Sequence, residues 1–246
     1  MVLSPLKSVA VFVAVTVTAI QPTVAQTNSE DSESFAEGLA IYNENCAICH
    51  GPNGDGGGSL APQFTPRPRD FTQGSFKFRS TGFGEPPAAV DLLTTITRGV
   101  EGSYGRSMPS FEHLSFDQQV KLLKVIQEFA GIANYGVSRG IQPRPDSANV
   151  EKGRQLYVEQ GCIECHGANG DGLGVLAQDL RDADGLPIRP TDFRTGLFKG
   201  GNNPEQIWMR IQTGLDGTPM PSFSRNLTLD ESWSLVEYVL EFSDEE

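Results

Sequence analysis

Apolar residues recur at helical spacing in several short stretches of the chain, and long stretches rich in Gly and Pro separate these stretches. Residues 34–45 place their apolar side chains on one helical face. Ser115 is the predicted N-cap of a helix that runs to Gly131. The same spacing predicts helices at residues 150–159 and 228–242, near the two ends of the second half of the chain. It also predicts two shorter helices, at residues 88–97 and 204–212. The pattern therefore predicts an all-α chain.

The first 25 residues differ from the rest. An uncharged and largely apolar stretch at residues 9–20 follows Lys7 and precedes small residues at positions 23–25. Because a spanning helix needs roughly 20 apolar residues, we interpret residues 1–25 as a cleaved secretory signal peptide. The alternative is an uncleaved N-terminal anchor. No later stretch is long and apolar enough to span a membrane, so we expect an exported protein without a membrane span after signal removal.

Acidic residues outnumber basic ones, with 31 Asp and Glu against 19 Lys and Arg and a formal net charge of −12. Phosphate backbones and anionic lipids repel such a chain, so we expect no binding to nucleic acid. The charge is also unequal, since residues 141–246 carry a net charge of −9 and residues 26–140 carry −4. This surface predicts a protein partner with a basic docking face, held less tightly as the salt concentration rises.

The four cysteines of the chain lie in two motifs of identical spacing, Cys46-Ala-Ile-Cys49-His50 and Cys162-Ile-Glu-Cys165-His166. Cys-x-x-Cys-His is the attachment pattern of c-type haem, in which both thiols add to the porphyrin vinyl groups and the adjacent His is the proximal iron ligand. Two alternatives are redox disulfides and Cys/His zinc sites. A redox pair does not require the His, and a tetrahedral zinc site needs a fourth ligand. The motifs therefore predict two covalently bound haem c groups.

The rest of the chain repeats together with the cysteines. Three markers return in the same order, and they begin at Gly51, Arg67 and Met108 in the first half and at Gly167, Arg189 and Met220 in the second. The offsets of 112 to 122 residues indicate a tandem duplication. We predict a first domain at residues 26–135, a linker at 136–148 and a second domain at 149–246. Pro143 and Pro145 favour an extended and fairly stiff linker.

Both halves resemble class I c-type cytochrome domains, and together they resemble bacterial dihaem cytochromes c over nearly all of the chain after the signal. The resemblance implies two tandem domains, each a few helices around one covalent haem c with long loops rich in Gly and Pro, and a periplasmic location. It also implies a close crossing of the first and last helices of each domain at a Gly next to aromatic residues. The residues expected at these crossings are Gly38, Tyr42 and Phe129 in the first half and Gly153, Tyr157 and Tyr238 in the second.

The sixth ligand of each iron follows from comparing the candidates. Cytochromes c use Met or His opposite the proximal His, and Met raises the reduction potential. Met108 and Met220 occupy equivalent positions in a repeated Met-Pro-Ser-Phe segment. We predict that His50 and Met108 ligate the first haem iron, and that His166 and Met220 ligate the second. Two rivals stand nearby in the sequence: His113, which would give a bis-His haem of low potential, and Met209, whose helical spacing favours packing in the core.

The resemblance implies further contacts around each haem. In the family, a carbonyl 12 residues after the proximal His accepts a bond from its second nitrogen, which places Pro62 in this role in the first half and Gln178 in the second. Arg67 and Arg189 lie on matched loops. They could pair with haem propionates or remain solvated loop arginines, and both interpretations stay open.

The predicted coordination decides the predicted function. Iron with His and Met ligands has no open position for a substrate and passes single electrons, and no other catalytic constellation is visible. We predict a non-enzymatic carrier of single electrons between a redox enzyme and a respiratory or terminal acceptor, free or as a subunit of a redox complex. The alternative is a dihaem enzyme of the peroxidase type with one open or labile haem site. A haem-based sensor would need an attached signalling module.

Overall fold

The computed structural model describes residues 24–101 and 107–244, and the regular secondary structure of these residues is helical. Eight α-helices follow in order: α1 Val24–Asn45, α2 Ala47–His50, α3 Ala89–Arg98, α4 Phe116–Phe129, α5 Val150–Glu159, α6 Cys162–His166, α7 Pro204–Thr213 and α8 Leu229–Asp244. Short 3₁₀ helices lie at Ala61–Gln63, Phe71–Gln73, Ala177–Asp179 and Phe193–Thr195. The described residues contain two isolated β-bridges and no strand. The all-α prediction is therefore confirmed.

Two sequence predictions concern the signal peptide and membrane-spanning helices. The predicted signal peptide, residues 1–25, lies outside them apart from its last two residues, which begin α1. Among the helices of residues 24–101 and 107–244, none combines the length and apolar character needed to cross a membrane.

Local capping explains where several helices begin. The Ser115 side chain accepts a hydrogen bond from the Gln118 backbone N–H, and the Gln118 side chain accepts one from the Ser115 N–H, which forms a capping box at the start of α4. Asn149 accepts from the Lys152 N–H at 3.0 Å and begins α5. These side-chain bonds satisfy N–H groups that the first turn of a helix leaves without partners.

A glycine lies where the first and last helices of each half cross. A Cβ atom added to Gly38 of α1 would lie 2.5 Å from the carbonyl oxygen of Lys121 in α4. One added to Gly153 of α5 would clash with the carbonyl oxygen of Ser234 in α8. Only glycine therefore allows the backbones to approach this closely, and the two predicted crossings are confirmed.

Aromatic rings pack edge-on beside each crossing. The Tyr42 and Phe129 ring centroids lie 5.1 Å apart, and those of Tyr157 and Tyr238 lie 5.3 Å apart, as predicted. The structural counterpart of Phe129 is nevertheless Phe242, because each of these two rings packs on a glycine of the loop that follows the haem-attachment motif. Tyr238 is an additional ring in the second half.

Each half has its own hydrophobic core. The first contains Tyr42, Leu122 and Val125, and the second contains the stacked rings of Trp208 and Trp233, whose centroids lie 5.9 Å apart. Met209 is 5% exposed and lies in the second core. This agrees with the prediction from its helical spacing that Met209 packs in the core. The exact domain boundaries stay a prediction.

The segment at residues 136–148 has no regular secondary structure and contacts both halves. The Arg139 N–H donates to the Ser80 carbonyl at 2.8 Å in the first half. Towards the second half, the Trp233 indole N–H donates to the Gln142 carbonyl at 3.2 Å, and Arg144 pairs with Glu237 of α8 at 2.6 Å. These contacts hold the connection against both halves.

A buried ion pair joins the two halves directly. Arg79 is completely buried, and its Nε and Nη2 atoms donate to the two carboxylate oxygens of Asp216 at 2.7 and 2.5 Å. Its remaining donors are taken by carbonyl groups of both halves, those of Thr81, Gly82 and Thr213. The buried guanidinium therefore has a full set of acceptors, as a buried charge requires.

Candidate haem-binding crevices

Each half contains a cavity whose walls carry the residues of its Cys-x-x-Cys-His motif and its predicted Met ligand. The cavity volumes are about 470 Å³ in the first half and about 220 Å³ in the second. Cys46, Cys49, His50 and Met108 line the first cavity, and Cys162, Cys165, His166 and Met220 line the second. The structure thus brings together all the residues that the sequence predicts at each site. We refer to the two cavities as crevice 1 and crevice 2.

A tyrosine of the preceding helix fixes the end of each attachment motif. The Tyr42 hydroxyl donates to the Gly51 carbonyl at 2.8 Å, and the Tyr157 hydroxyl donates to the Gly167 carbonyl at 2.8 Å. Gly51 and Gly167 have φ angles of 79° and 80°, a region that favours glycine. The chain therefore leaves α2 and α6 in the same direction in both halves, directly after the proximal His.

The imidazole of each Cys-x-x-Cys-His motif stacks on a Phe ring, and burial favours its neutral form. The Phe71 ring lies nearly parallel to His50 at 4.6 Å, and Phe193 lies nearly parallel to His166 at 4.5 Å. Burial lowers the pKa of His50, and it lowers the pKa of His166 to about 4. The neutral imidazole is the form that ligates a metal, so burial favours the ligating form of both rings.

The second nitrogen of His50 is held by a carbonyl that the resemblance did not predict. Its Nδ1 atom lies 2.9 Å from the carbonyl oxygen of Arg69. Since a carbonyl only accepts, this bond places the proton on Nδ1 and leaves Nε2 with the lone pair that a metal needs. The prediction of Pro62 is wrong, because the segment after Pro66 returns beside the motif, where the Phe71 N–H donates to the Gly54 carbonyl at 2.7 Å.

The second half repeats this arrangement with looser geometry. The segment is anchored by the Phe193 N–H, which donates to the Gly170 carbonyl at 2.7 Å. The carbonyl of Thr191, at the position of Arg69, opposes the lowering of the His166 pKa by burial. The His166 Nδ1 atom is nevertheless buried without a hydrogen bond of ordinary geometry. The Gln178 prediction is wrong in the same way as that of Pro62.

The loops that carry Met108 and Met220 are anchored by matching backbone bonds. The Val100 N–H donates to the Met108 carbonyl at 3.0 Å, and the Leu215 N–H donates to the Met220 carbonyl at 3.1 Å. Main-chain bonds of this kind fix the loop independently of the Met side chain. His113, by contrast, is exposed and lies outside the walls of crevice 1, so the structure gives no support to His113 as a ligand.

The thiol chemistry disfavours the two alternatives to haem attachment. All four cysteines are free, and burial raises the pKa of the Cys46 and Cys162 thiols to about 11. Redox Cys-x-x-Cys pairs instead have a lowered thiol pKa. Within residues 24–101 and 107–244, no group of three or more His, Cys, Asp or Glu side chains could hold a metal ion. Neither a redox disulfide nor a zinc site is supported.

Basic residues on the crevice walls include some that sequence reasoning missed. Arg67 and Arg189 are exposed, and each lines its own crevice. Lys77 and Lys199 are half-buried and line both crevices. The sequence does contain a pattern that indicates these lysines. Phe-Lys recurs 122 residues apart, which is the offset at which the Arg-Pro-x-Asp-Phe segment also recurs.

The wall chemistry fits haem c. Each crevice offers two thiols, a neutral imidazole and a thioether within largely apolar walls. Crevice 2 also contains Arg210, whose Nε and Nη1 atoms are buried without a hydrogen-bond partner. An anionic group of a bound molecule would satisfy these donors.

Comparison with known proteins matches each half of the chain to a family model related to cytochrome c. Residues 150–243 match the family model for cytochrome c, and residues 33–124 match the model for cytochrome c oxidase, cbb3-type, subunit III. A Cbb3-type cytochrome c oxidase subunit CcoP of Azospirillum brasilense is 26% identical over 226 residues, which is 88% of this chain and 67% of the relative. That of Azospirillum sp. (strain B510) is 26% identical over 208 residues. The alignment covers 84% of this chain and 61% of that relative's length.

A solved structure aligns along most of both chains. It belongs to the Kuenenia stuttgartiensis reducing HAO-like protein complex Kustc0457/Kustc0458, with 37% sequence identity and a TM-score of 0.77. The alignment covers 84% of this chain and 95% of that one. With this agreement and a cytochrome c domain matched in each half, the chain belongs to the c-type cytochromes, as an electron-transfer protein with two covalently bound haem c groups.

Proposed function

We propose that this protein is a periplasmic carrier of single electrons between a redox enzyme and a respiratory or terminal acceptor. Its four cysteines bind the haem groups through thioether bonds. His50 and Met108 ligate the iron in crevice 1, and His166 and Met220 ligate the iron in crevice 2. The observation that carries the proposal is the presence of a neutral His and a backbone-anchored Met on the walls of the same crevice, in both halves.

The protein's own residues hold the imidazole and the Met loop of each site in place. The haem groups supply the one-electron chemistry when they are bound. The Arg69 carbonyl holds the His50 imidazole through its Nδ1 atom, and a parallel Phe ring packs on the imidazole in both halves. With Met108 or Met220 as the second ligand beside the His, the iron would have no coordination position open to a substrate.

The proposal includes membership of a larger redox complex. Proteins similar to this chain include an oxidase subunit and part of an HAO-like complex. The formal net charge of −12 favours a partner surface that is basic. We infer that the protein works as a subunit, or a closely docked partner, of an oxidoreductase complex.

An optical redox titration of the purified holoprotein tests the carrier function. We expect the weak far-red band of Met-ligated ferric haem to account for both haems, and we expect carbon monoxide and peroxide to leave both spectra unchanged. A haem that lacks this band, or that binds either reagent readily, would instead support an enzyme of the peroxidase type.

The acidic surface predicts opposite salt responses with oppositely charged redox reagents. We expect the rate of haem reduction by hexaammineruthenium(II), a cation, to fall several-fold as ionic strength rises, because screening weakens its attraction to the protein. The rate of haem oxidation by ferricyanide, an anion, should rise over the same range. Stopped-flow absorbance measures both rates. Equal responses to salt would show that the acidic residues do not act on the electron-exchange sites.

A further inference from the structure

Crevice 1 and crevice 2 share part of their walls. Four residues line both cavities, namely Pro66, Lys77, Phe78 and Lys199. Two of the four are lysines, one from each half of the chain. Each lysine therefore forms part of the walls of both crevices.

The two lysines are placed by equivalent ring contacts. Phe76, which precedes Lys77, stacks at 6.0 Å on the ring that covers the proximal His of crevice 1. Phe198, which precedes Lys199, stacks at 5.6 Å on the corresponding ring of crevice 2. A series of parallel rings thus runs from each imidazole to the residue before the lysine, and it fixes where both lysine backbones lie.

Within the described residues, neither lysine forms an ion pair. Burial, together with the charges of Arg69 and Lys199, lowers the pKa of Lys77 to about 8. Asp182 and Asp184 raise the pKa of Lys77 by a smaller amount. Burial also lowers the pKa of Lys199. Half-buried cations that repel each other are costly unless an anion lies between them.

Arg210 of α7 provides a second and independent indication of an anion. Its Nη2 atom donates to the Arg79 carbonyl at 2.8 Å, but its Nε and Nη1 atoms are buried without a partner. The guanidinium lines crevice 2, where Lys77 and Lys199 are also found. In a chain with a net charge of −12, cations gathered without a direct carboxylate partner indicate that the missing anion comes from a bound group.

We propose that Lys77 and Lys199 form one carboxylate-binding site that serves the propionate groups of both haems, with Arg210 as a further donor in crevice 2. The inference rests on the proposed function, because the propionates are the carboxylates that haem brings into the crevices. A positive charge near a haem stabilises the reduced state, since reduction removes one unit of positive charge from the iron. Each lysine therefore raises the reduction potential of both haems, including the haem of the other half.

The test is an optical redox titration of Lys77→Gln and Lys199→Gln holoproteins. We expect each substitution to lower the reduction equilibrium constant of both haems by about tenfold, which is about 59 mV for a one-electron couple. Lys77→Arg keeps the charge and should restore both potentials. Lys124→Gln is the matched control, because Lys124 pairs with Asp31 on the surface and lines neither crevice. This control should leave both potentials unchanged.

Other outcomes separate this inference from the proposed function. A shift confined to the haem of the substituted half would overturn the shared site, and so would unchanged potentials at both haems. If Lys77→Gln loses haem while Lys77→Arg retains it, the charge is required and the site is supported. Loss of haem from both variants would overturn it, since size and not charge would then decide binding. The proposed function fails separately, if the unsubstituted protein lacks the far-red bands of Met-ligated haem.

Discussion

Replacement of Met220 with Ala is expected to remove the far-red band of one haem, to lower the reduction potential of that haem and to let it bind carbon monoxide. The thioether is the ligand that raises the potential, and its loss leaves an open position on the iron. The loop itself should stay in place, because its anchors are backbone bonds from Leu215 and to the Ile211 carbonyl, and neither uses the Met side chain. The other haem should keep its band and its potential.

The chain supplies its own control for this experiment. Met209→Leu changes the buried Met of the second core, and it conserves the side-chain volume, so it should cost less than about 1.5 kcal/mol and leave both haem spectra intact. Met108→Ala should reproduce the effect of Met220→Ala at the other haem. The ligand assignment would be wrong if Met220→Ala retained both far-red bands, or if Met209→Leu lost one.

Replacement of Arg79 with Leu is expected to destabilise the contact between the two halves by about 3–5 kcal/mol, the usual effect of leaving one partner of a buried ion pair without the other. Asp216 and the carbonyls of Thr81 and Thr213 all lose their donor at once. We expect a lower midpoint in urea denaturation of the holoprotein. We also expect faster proteolysis of the segment at residues 136–148, because that segment packs against both halves.

Two further variants show whether the buried pair is the cause. Arg139→Leu removes an exposed ion pair with Glu85 at 3.4 Å and should cost no more than about 1 kcal/mol. Combining Arg79→Leu with Asp216→Leu should recover part of the lost stability, since no unpaired charge remains buried. Equal effects of Arg79→Leu and Arg139→Leu would contradict the importance of the buried contact.

Local signals predicted the helices and the components of each site. Apolar spacing and the capping residue Ser115 located α4, and the repeated motifs identified the residues that line the two crevices. Cys46 follows Gly38 by eight positions and Cys162 follows Gly153 by nine, and the additional residue in the second half has a local explanation. α1 runs almost directly into α2, whereas Gly161, with a φ angle of 75°, makes an additional turn between α5 and α6.

Contacts between distant segments could not be predicted in this way. Arg79 and Asp216 are 137 residues apart, and no local pattern links an arginine to one particular acid in a chain with many acids. The carbonyl that holds His50 depends on how the segment containing Arg69 returns to the motif, which spacing alone did not show. Tyr238 and Phe242 are both aromatic residues of α8, so only the packing distinguishes the counterpart of Phe129.

The stacked pair formed by Trp208 and Trp233 gives the protein an intrinsic fluorophore in one half only. These are the two tryptophans of the chain, and both lie in the second core. Indole emission therefore reports on the second half, while the first half contributes no tryptophan signal. The loosening of one half can be followed by fluorescence in the intact protein, without a label and without separating the two halves.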